Sequence, residues 1–113
     1  MNENKIIHRD IKASNILISL NKLKINKTIF KISDYGLSKL LEINNSKSNY
    51  GTSETMSPEC LKGELISSKS DIWSLGILIY YMLYKKYPYN GTEVQILNQI
   101  QSNQILINIK DKY

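Results

Sequence analysis

The chain has 113 residues, enough for one small domain with a modest core. Its single cysteine, Cys60, excludes an internal disulfide framework and fits a reducing compartment, and one cysteine with one histidine leaves no zinc site to build. The net charge of +5 is spread over scattered lysines and one arginine, with no cationic block longer than Lys85-Lys86, which argues against a nucleic-acid partner.

At the N-terminus no apolar targeting segment follows Met1, and the longest apolar run, Leu75 to Leu83, is too short for a membrane span. No membrane association and an intracellular, cytoplasmic location are therefore expected. Ile6-Ile7 reads as a short strand. The next stretch, His8-Arg9-Asp10-Ile11-Lys12-Ala13-Ser14-Asn15, holds an acid, a base and an amide within six residues, Asp10 to Asn15. Ile16-Leu17-Ile18 is a second apolar strand candidate, and residues 21 to 27 a basic and polar loop. Thr28 to Ser33 alternates apolar and polar, as a half-buried strand does. Pairing of these two strands as a hairpin would bring Asn15 and Asp34 together.

Residues 37 to 56 are polar around Asn44-Asn45-Ser46-Lys47-Ser48-Asn49, and too little of this stretch is apolar to bury much area. Gly51-Thr52 and Ser57-Pro58 punctuate its end. A helix is expected from about 71 to 84, with Ser70 as N-cap and Asp71 in the positive first turn. Ile72, Leu75, Gly76, Ile79 and Leu83 recur at helical spacing, with Ile77, Leu78 and Met82 on other faces, the pattern of a central buried helix. Lys85-Lys86 end it, and Tyr87 to Gly91 form a turn. Thr92 caps a last helix from about 92 to 101, with Val94, Leu97 and Ile100 on its inner face. The segment Ile105 to Ile109 is β-branched and undecided.

Four motifs stand in one order: H-R-D-x-x-x-x-N at 8–15, Asp34-Tyr35-Gly36, Ser57-Pro58-Glu59, and Asp71-Ile72-Trp73-Ser74-Leu75-Gly76. That series resembles the C-terminal lobe of a eukaryotic-type serine/threonine protein kinase over residues 5 to about 100. The resemblance implies an α+β fold: a kinase-like C-lobe, mostly helical, with a small β-hairpin beside the catalytic loop and the N-lobe absent. Residues 1–113 would form a partial kinase domain, with catalytic loop 8–15, metal motif 34–36 and activation segment 34–59.

The same resemblance assigns roles. Asp10 would be the catalytic base and Lys12 would reach the phosphate being transferred, which marks serine/threonine kinases. Asn15 and Asp34 are hard oxygen ligands suited to Mg²⁺, and with Lys12 they would serve ATP binding. Any one of these four residues alone also fits a solvated loop. His8 would pack on Tyr35, where the family usually has Phe, with Gly36 completing the motif. Arg9 would await a phosphate on Ser48, or second on Ser46. Thr52 would hydrogen-bond near Asp10, and Asp71 would hold the catalytic-loop backbone. Glu59 usually pairs with an Arg that this chain lacks, and Thr55 stands where the family commonly has an aromatic, a departure that would alter the substrate-facing wall there.

No G-x-G-x-x-G loop and no V-A-I-K-like lysine occur in the 113 residues. The resemblance places those parts in an N-terminal lobe before Met1, and predicts that the apolar face of 72 to 83 lacks partners in this chain. The expected partners are that missing N-lobe segment and a protein substrate offering a Ser or Thr. Phosphorylation is the expected activity of the complete protein and negligible activity that of this chain alone. Two alternatives stay open: a kinase-like binding module without catalysis, and a truncated product.

Overall fold

A computed structural model describes residues 6–20, 28–35, 39–40 and 52–103. Two antiparallel strand pairs and three helices make up the described architecture. Strand β1 (Ile6–Ile7) pairs with β4 (Lys39–Leu40), with Ile6 opposite Leu40. Strand β2 (Ile16–Leu20) pairs with β3 (Thr28–Ile32), Ile16 lying opposite Ile32. A 3₁₀ turn at Ala13–Asn15 leads into β2, and a second at Ser53–Thr55 precedes α1 (Pro58–Leu61). Helix α2 (Ser68–Tyr84) and helix α3 (Glu93–Gln101) follow. The loop 21–27 and the segment 105–109 lie outside the described residues.

The hairpin forms as the alternation predicts, but it is not half-buried. Ile29 and Phe30 are both exposed, as are Leu17, Ile18 and Leu20. Ladder pairing holds these strands in register, and only their Ile16 and Ile32 end is partly buried.

Helix α2 starts three residues earlier than expected. Ser67, not Ser70, is the N-cap: the Ser67 side chain accepts from the first-turn backbone, and the Ser70 hydroxyl accepts from the Ser67 amide in return. That reciprocal box satisfies two amides that the helix leaves open. The helix ends at Lys85, whose φ of 57° places a non-glycine residue in the left-handed region.

The buried side of α2 is made by Ser70, Asp71, Ser74, Ile77 and Leu78. Its other side, Ile72, Leu75, Ile79, Met82 and Leu83, is exposed, which corrects the central buried helix that the apolar pattern predicted: among the described residues nothing covers this face. The core gathers instead around Ile77, Tyr89 and Ile96, with Leu61, Trp73, Tyr87 and Ile100 packed on it. Thr92 caps α3 as expected, in a box with Gln95. The inner face of α3 is corrected, however: Val94 is exposed, and Ile96 is the buried anchor at 1% exposure. The Tyr87–Gly91 turn lays α3 against Tyr89 and Ile77, which rotates Val94 outward and Ile96 inward.

Candidate functional site

Asp71 stands in the first turns of α2 and reaches back 62 and 63 residues in sequence to the loop after β1. Its Oδ2 accepts from the His8 amide at 2.8 Å and its Oδ1 from the Arg9 amide at 2.9 Å. One buried carboxylate thus satisfies two consecutive amides. Arg9 has φ 73°, a conformation that costs a non-glycine residue energy, and the bonds from Asp71 hold it there.

His8 is fully buried and wired on three sides. Its Nε2 donates to the Ser33 carbonyl at 3.0 Å, and its Nδ1 accepts from the Asp10 amide at 3.3 Å. These two bonds place the ring proton on Nε2. The ring meets Tyr35 edge-on, centroids 4.9 Å apart and planes at 65°. His8 therefore sets the angle between the β3 end and the Asp10 loop.

Asp10 is 7% exposed. Its Oδ2 faces Lys12 Nζ at 2.9 Å and accepts from Asn15 Nδ2 at 3.2 Å. The same Asn15 amide nitrogen donates to the Asp10 carbonyl at 2.8 Å. Asp10 Oδ1 is buried and accepts no hydrogen bond. Such an oxygen is costly to bury unless something completes it. Lys12 Nζ also donates to Thr52 Oγ1 at 3.2 Å, tying the loop to the segment before α1.

The β3 end is fixed to this loop by the Asn15 carbonyl, which accepts from the Ser33 amide at 2.8 Å and from its hydroxyl at 3.2 Å. Asp34 follows, exposed, with φ 62°. Asp10, Lys12, Asn15, Thr52, Asp71, His8 and Tyr35 are therefore brought together, and Asp34 adjoins them through Ser33. Gly36, Ser46 and Ser48 lie outside the described residues.

Glu59 has a partner from within the chain. The Ser70 hydroxyl donates to its Oε1 at 2.6 Å. Burial pushes the Glu59 carboxyl up, but bonds from Ser70, its own amide and Ser57, with Lys62 nearby, together hold it below its ordinary value of 4.5. Thr55 is buried, at 3% exposure. Its hydroxyl donates to the Thr52 carbonyl at 2.9 Å, and its own carbonyl accepts from Ser74 at 2.7 Å.

The sequence marked Ser70 only as a helix cap, Ser74 only as one place in a motif and Ser33 only as the end of a strand, and gave none of them a part in this network. Ser33 and Ser74 act through contacts 18 or 19 residues away, for which no local spacing exists.

Among the described residues no group of three or more His, Cys, Asp or Glu is placed to hold a metal by itself. Mg²⁺ needs no such cage, since it takes one or two protein oxygens plus phosphate oxygens and water. Asn15 spends its Nδ2 on Asp10, and among the described residues nothing donates to its Oδ1. That oxygen and the Asp34 carboxylate are a donor set that fits such an ion. Among the described residues no helix is long and apolar enough to cross a membrane.

The protein kinase domain family model matches residues 1–113. Mitogen-activated protein kinase kinase 1 of Arabidopsis thaliana is 44% identical over 93 residues, which are 80% of this chain and 25% of that protein. Serine/threonine-protein kinase Nek5 of Homo sapiens is 37% identical over 101 residues, 86% of this chain and 13% of that protein. Mitogen-activated protein kinase kinase kinase 12 of Rattus norvegicus is 39% identical over 90 residues, 79% of this chain and 10% of that protein. The chain thus spans a quarter or less of the length of these curated relatives. With the family model covering every residue and the motif side chains gathered about Asp10, the chain belongs to the eukaryotic-type protein kinase family.

Proposed function

We propose that the loop around Asp10 is part of the transfer site of a serine/threonine protein kinase. The complete protein would move the γ-phosphate of ATP to Ser or Thr hydroxyls of protein substrates. The observation that carries this reading is the state of Asp10: one carboxylate oxygen is pinned by Lys12 and Asn15, and the other is buried without a donor. A substrate hydroxyl would supply that donor. Asp10 Oδ1 takes the hydroxyl proton as the oxygen attacks the γ-phosphorus in line and the bond to the leaving diphosphate breaks.

Lys12 commits two of its three N–H donors, to Asp10 and Thr52, and keeps one for the phosphoryl oxygens. Thr52 holds Lys12 beside the base, which supports acceptance of small hydroxyl side chains. Asp71 and His8 hold the loop backbone so that Asp10 need not reorganise during the reaction. Mg²⁺, when bound with ATP, would be held by Asn15 Oδ1 and Asp34 and would neutralise charge on the phosphates.

Replacing Asp10 with Asn in the complete protein is expected to lower kcat by about 10²–10⁴, with the fold intact. Unchanged phosphate transfer to a peptide, read by radiolabel, would remove Asp10 from the mechanism. The 113-residue chain alone should transfer no measurable phosphate, because its sequence holds no glycine-rich phosphate loop.

A second reading, a binding module without catalysis, draws on the exposed apolar face of α2. Transfer by the complete protein that is lost in Asp10→Asn decides against it.

A further inference from the structure

Asn90-Gly91 lies in the turn between α2 and α3, and Asn90 is the chain's only asparagine followed by glycine. Gly91 stands there for a structural reason. Its φ is 109°, and a Cβ at this place would strike the Gln95 side chain. That side chain is half of the α3 capping box, where its Oε1 accepts from the Thr92 amide at 2.8 Å. The box therefore requires a residue without a side chain at position 91.

Glycine is also the residue that shields its own backbone nitrogen least. Asn90 and Gly91 are both exposed. Among the described residues the Gly91 amide donates to nothing, and the Asn90 side-chain amide makes no hydrogen bond. Asn90 is held by its main chain instead. Its N–H donates to Gln99 Oε1 at 3.2 Å, and its carbonyl accepts from Gln99 Nε2 at 2.8 Å. This clamp leaves the side chain able to turn towards the next nitrogen. An unengaged amide carbon and an unengaged backbone nitrogen are thus neighbours in the chain, in contact with water.

We propose that Asn90 is a site of spontaneous deamidation in the folded protein, and that the α3 cap requires the very glycine that makes it one. The Gly91 nitrogen attacks Asn90 Cγ, the Cγ–Nδ2 bond breaks, and ammonia leaves with the proton that Gly91 gave up. The five-membered imide so formed then takes up one water. Attack of water at Cγ gives aspartate. Attack at the main-chain carbonyl carbon gives isoaspartate, in which the chain runs through Cβ and Cγ. Either product adds one negative charge, and neither step needs an oxidant or an enzyme. The isoaspartate form lengthens the connection into α3 by a methylene. It also turns the carbonyl that Gln99 holds into a carboxylate off the main chain. Because α3 carries the buried anchor Ile96, the change bears on the core around Ile77 and Tyr89.

The test incubates the complete protein, folded and near neutral pH, and follows its peptides by mass spectrometry over days. Isoaspartate is read by an isoaspartyl methyltransferase, which transfers a labelled methyl group to the carboxylate. Asn98 serves as the internal control, since it lies within α3, its carbonyl accepts from Ser102 and its neighbour Gln99 has a side chain. Fragment masses should place OH for NH₂ at position 90 and leave Asn98 unchanged, at a rate that rises with pH. The label at this position should be lost in Asn90→Gln, whose side chain would have to close a six-membered ring. That variant keeps the Gln99 clamp, because both bonds are to the main chain. An unmodified Asn90, equal modification of Asn98, or a label kept in Asn90→Gln overturns the proposal. The isoaspartate form, separated by its charge from unmodified protein and then from the aspartate form, should melt lower than the latter. Equal midpoints would overturn the effect on α3.

Discussion

Asp71 shows how one side chain can hold a loop that is distant in sequence. Its two oxygens take the amides of His8 and Arg9; the first bond is buried and the second partly so. In Asp71→Asn one oxygen becomes an NH₂ group facing an N–H, so a bond is lost and a repulsion gained. A loss of about 2–3 kcal/mol in unfolding free energy is expected, read by urea titration of the complete protein. Glu59 offers a pH-dependent test at the same scale. Its carboxyl is held below 4.5 in the folded protein, so the ionised form is the one that folding favours. Its contribution is full above pH 4.5 and fades as the pH falls through the lower folded-state value. Ser70→Ala removes the hydroxyl at 2.6 Å and should cost about 1 kcal/mol near neutral pH, an amount discounted for partial exposure. The difference from wild type should shrink in melts below pH 4.5; a constant gap would show that Ser70 acts only as part of the helix cap.

At the scale of elements, both long helices begin with reciprocal caps but α2 ends against preference. Lys85 carries a positive φ of 57° where glycine is the usual residue. Its amide closes the last turn on the Tyr81 carbonyl at 2.8 Å, so the helix tolerates the conformation. Lys85→Gly should therefore raise stability by about 1 kcal/mol, seen as a higher thermal midpoint. Of the two caps the sequence showed Thr92, while the boxes themselves, Ser67 with Ser70 and Thr92 with Gln95, emerged in the structure. Ser70 was nevertheless taken for the cap itself, because a serine directly before Asp71 satisfies the same local preference as one three residues earlier. On α3, periodicity could not separate Val94 from Ile96, since each belongs to an apolar stripe and only the packing on Tyr89 and Ile77 chose between them.

For the whole molecule, the balance between buried and exposed apolar surface is the main physical fact. Ile72, Ile79, Met82 and Leu83 on α2, with Leu20 and Phe30 on the hairpin, are each at least half exposed. Patches of this kind bind partners or aggregate. The isolated 113-residue chain should bind a hydrophobic fluorescent dye and self-associate, and Ile79→Lys with Leu83→Glu should reduce both without lowering the thermal midpoint. A chain that stays monomeric and dark to the dye would contradict the exposed face.

The sequence by itself determined the family and the chemistry on offer. Asp10, Lys12, Asn15, Asp34 and Asp71 could be named because they stand in motifs whose order and spacing resemble those of the kinase family. The hairpin was equally legible, since pairing in register follows from two β-branched runs joined by a polar loop. Tertiary structure alone decided which Asp10 oxygen is pinned and which is left without a donor, for Asn15 and Lys12, the latter held by Thr52, converge on it only in the folded chain. It also decided that Ser70 takes over Glu59, and that Thr55 turns inward while Glu54 stays partly exposed. Such choices rest on contacts between residues far apart in the chain, and pair distances of that kind have no period or motif from which they can be read.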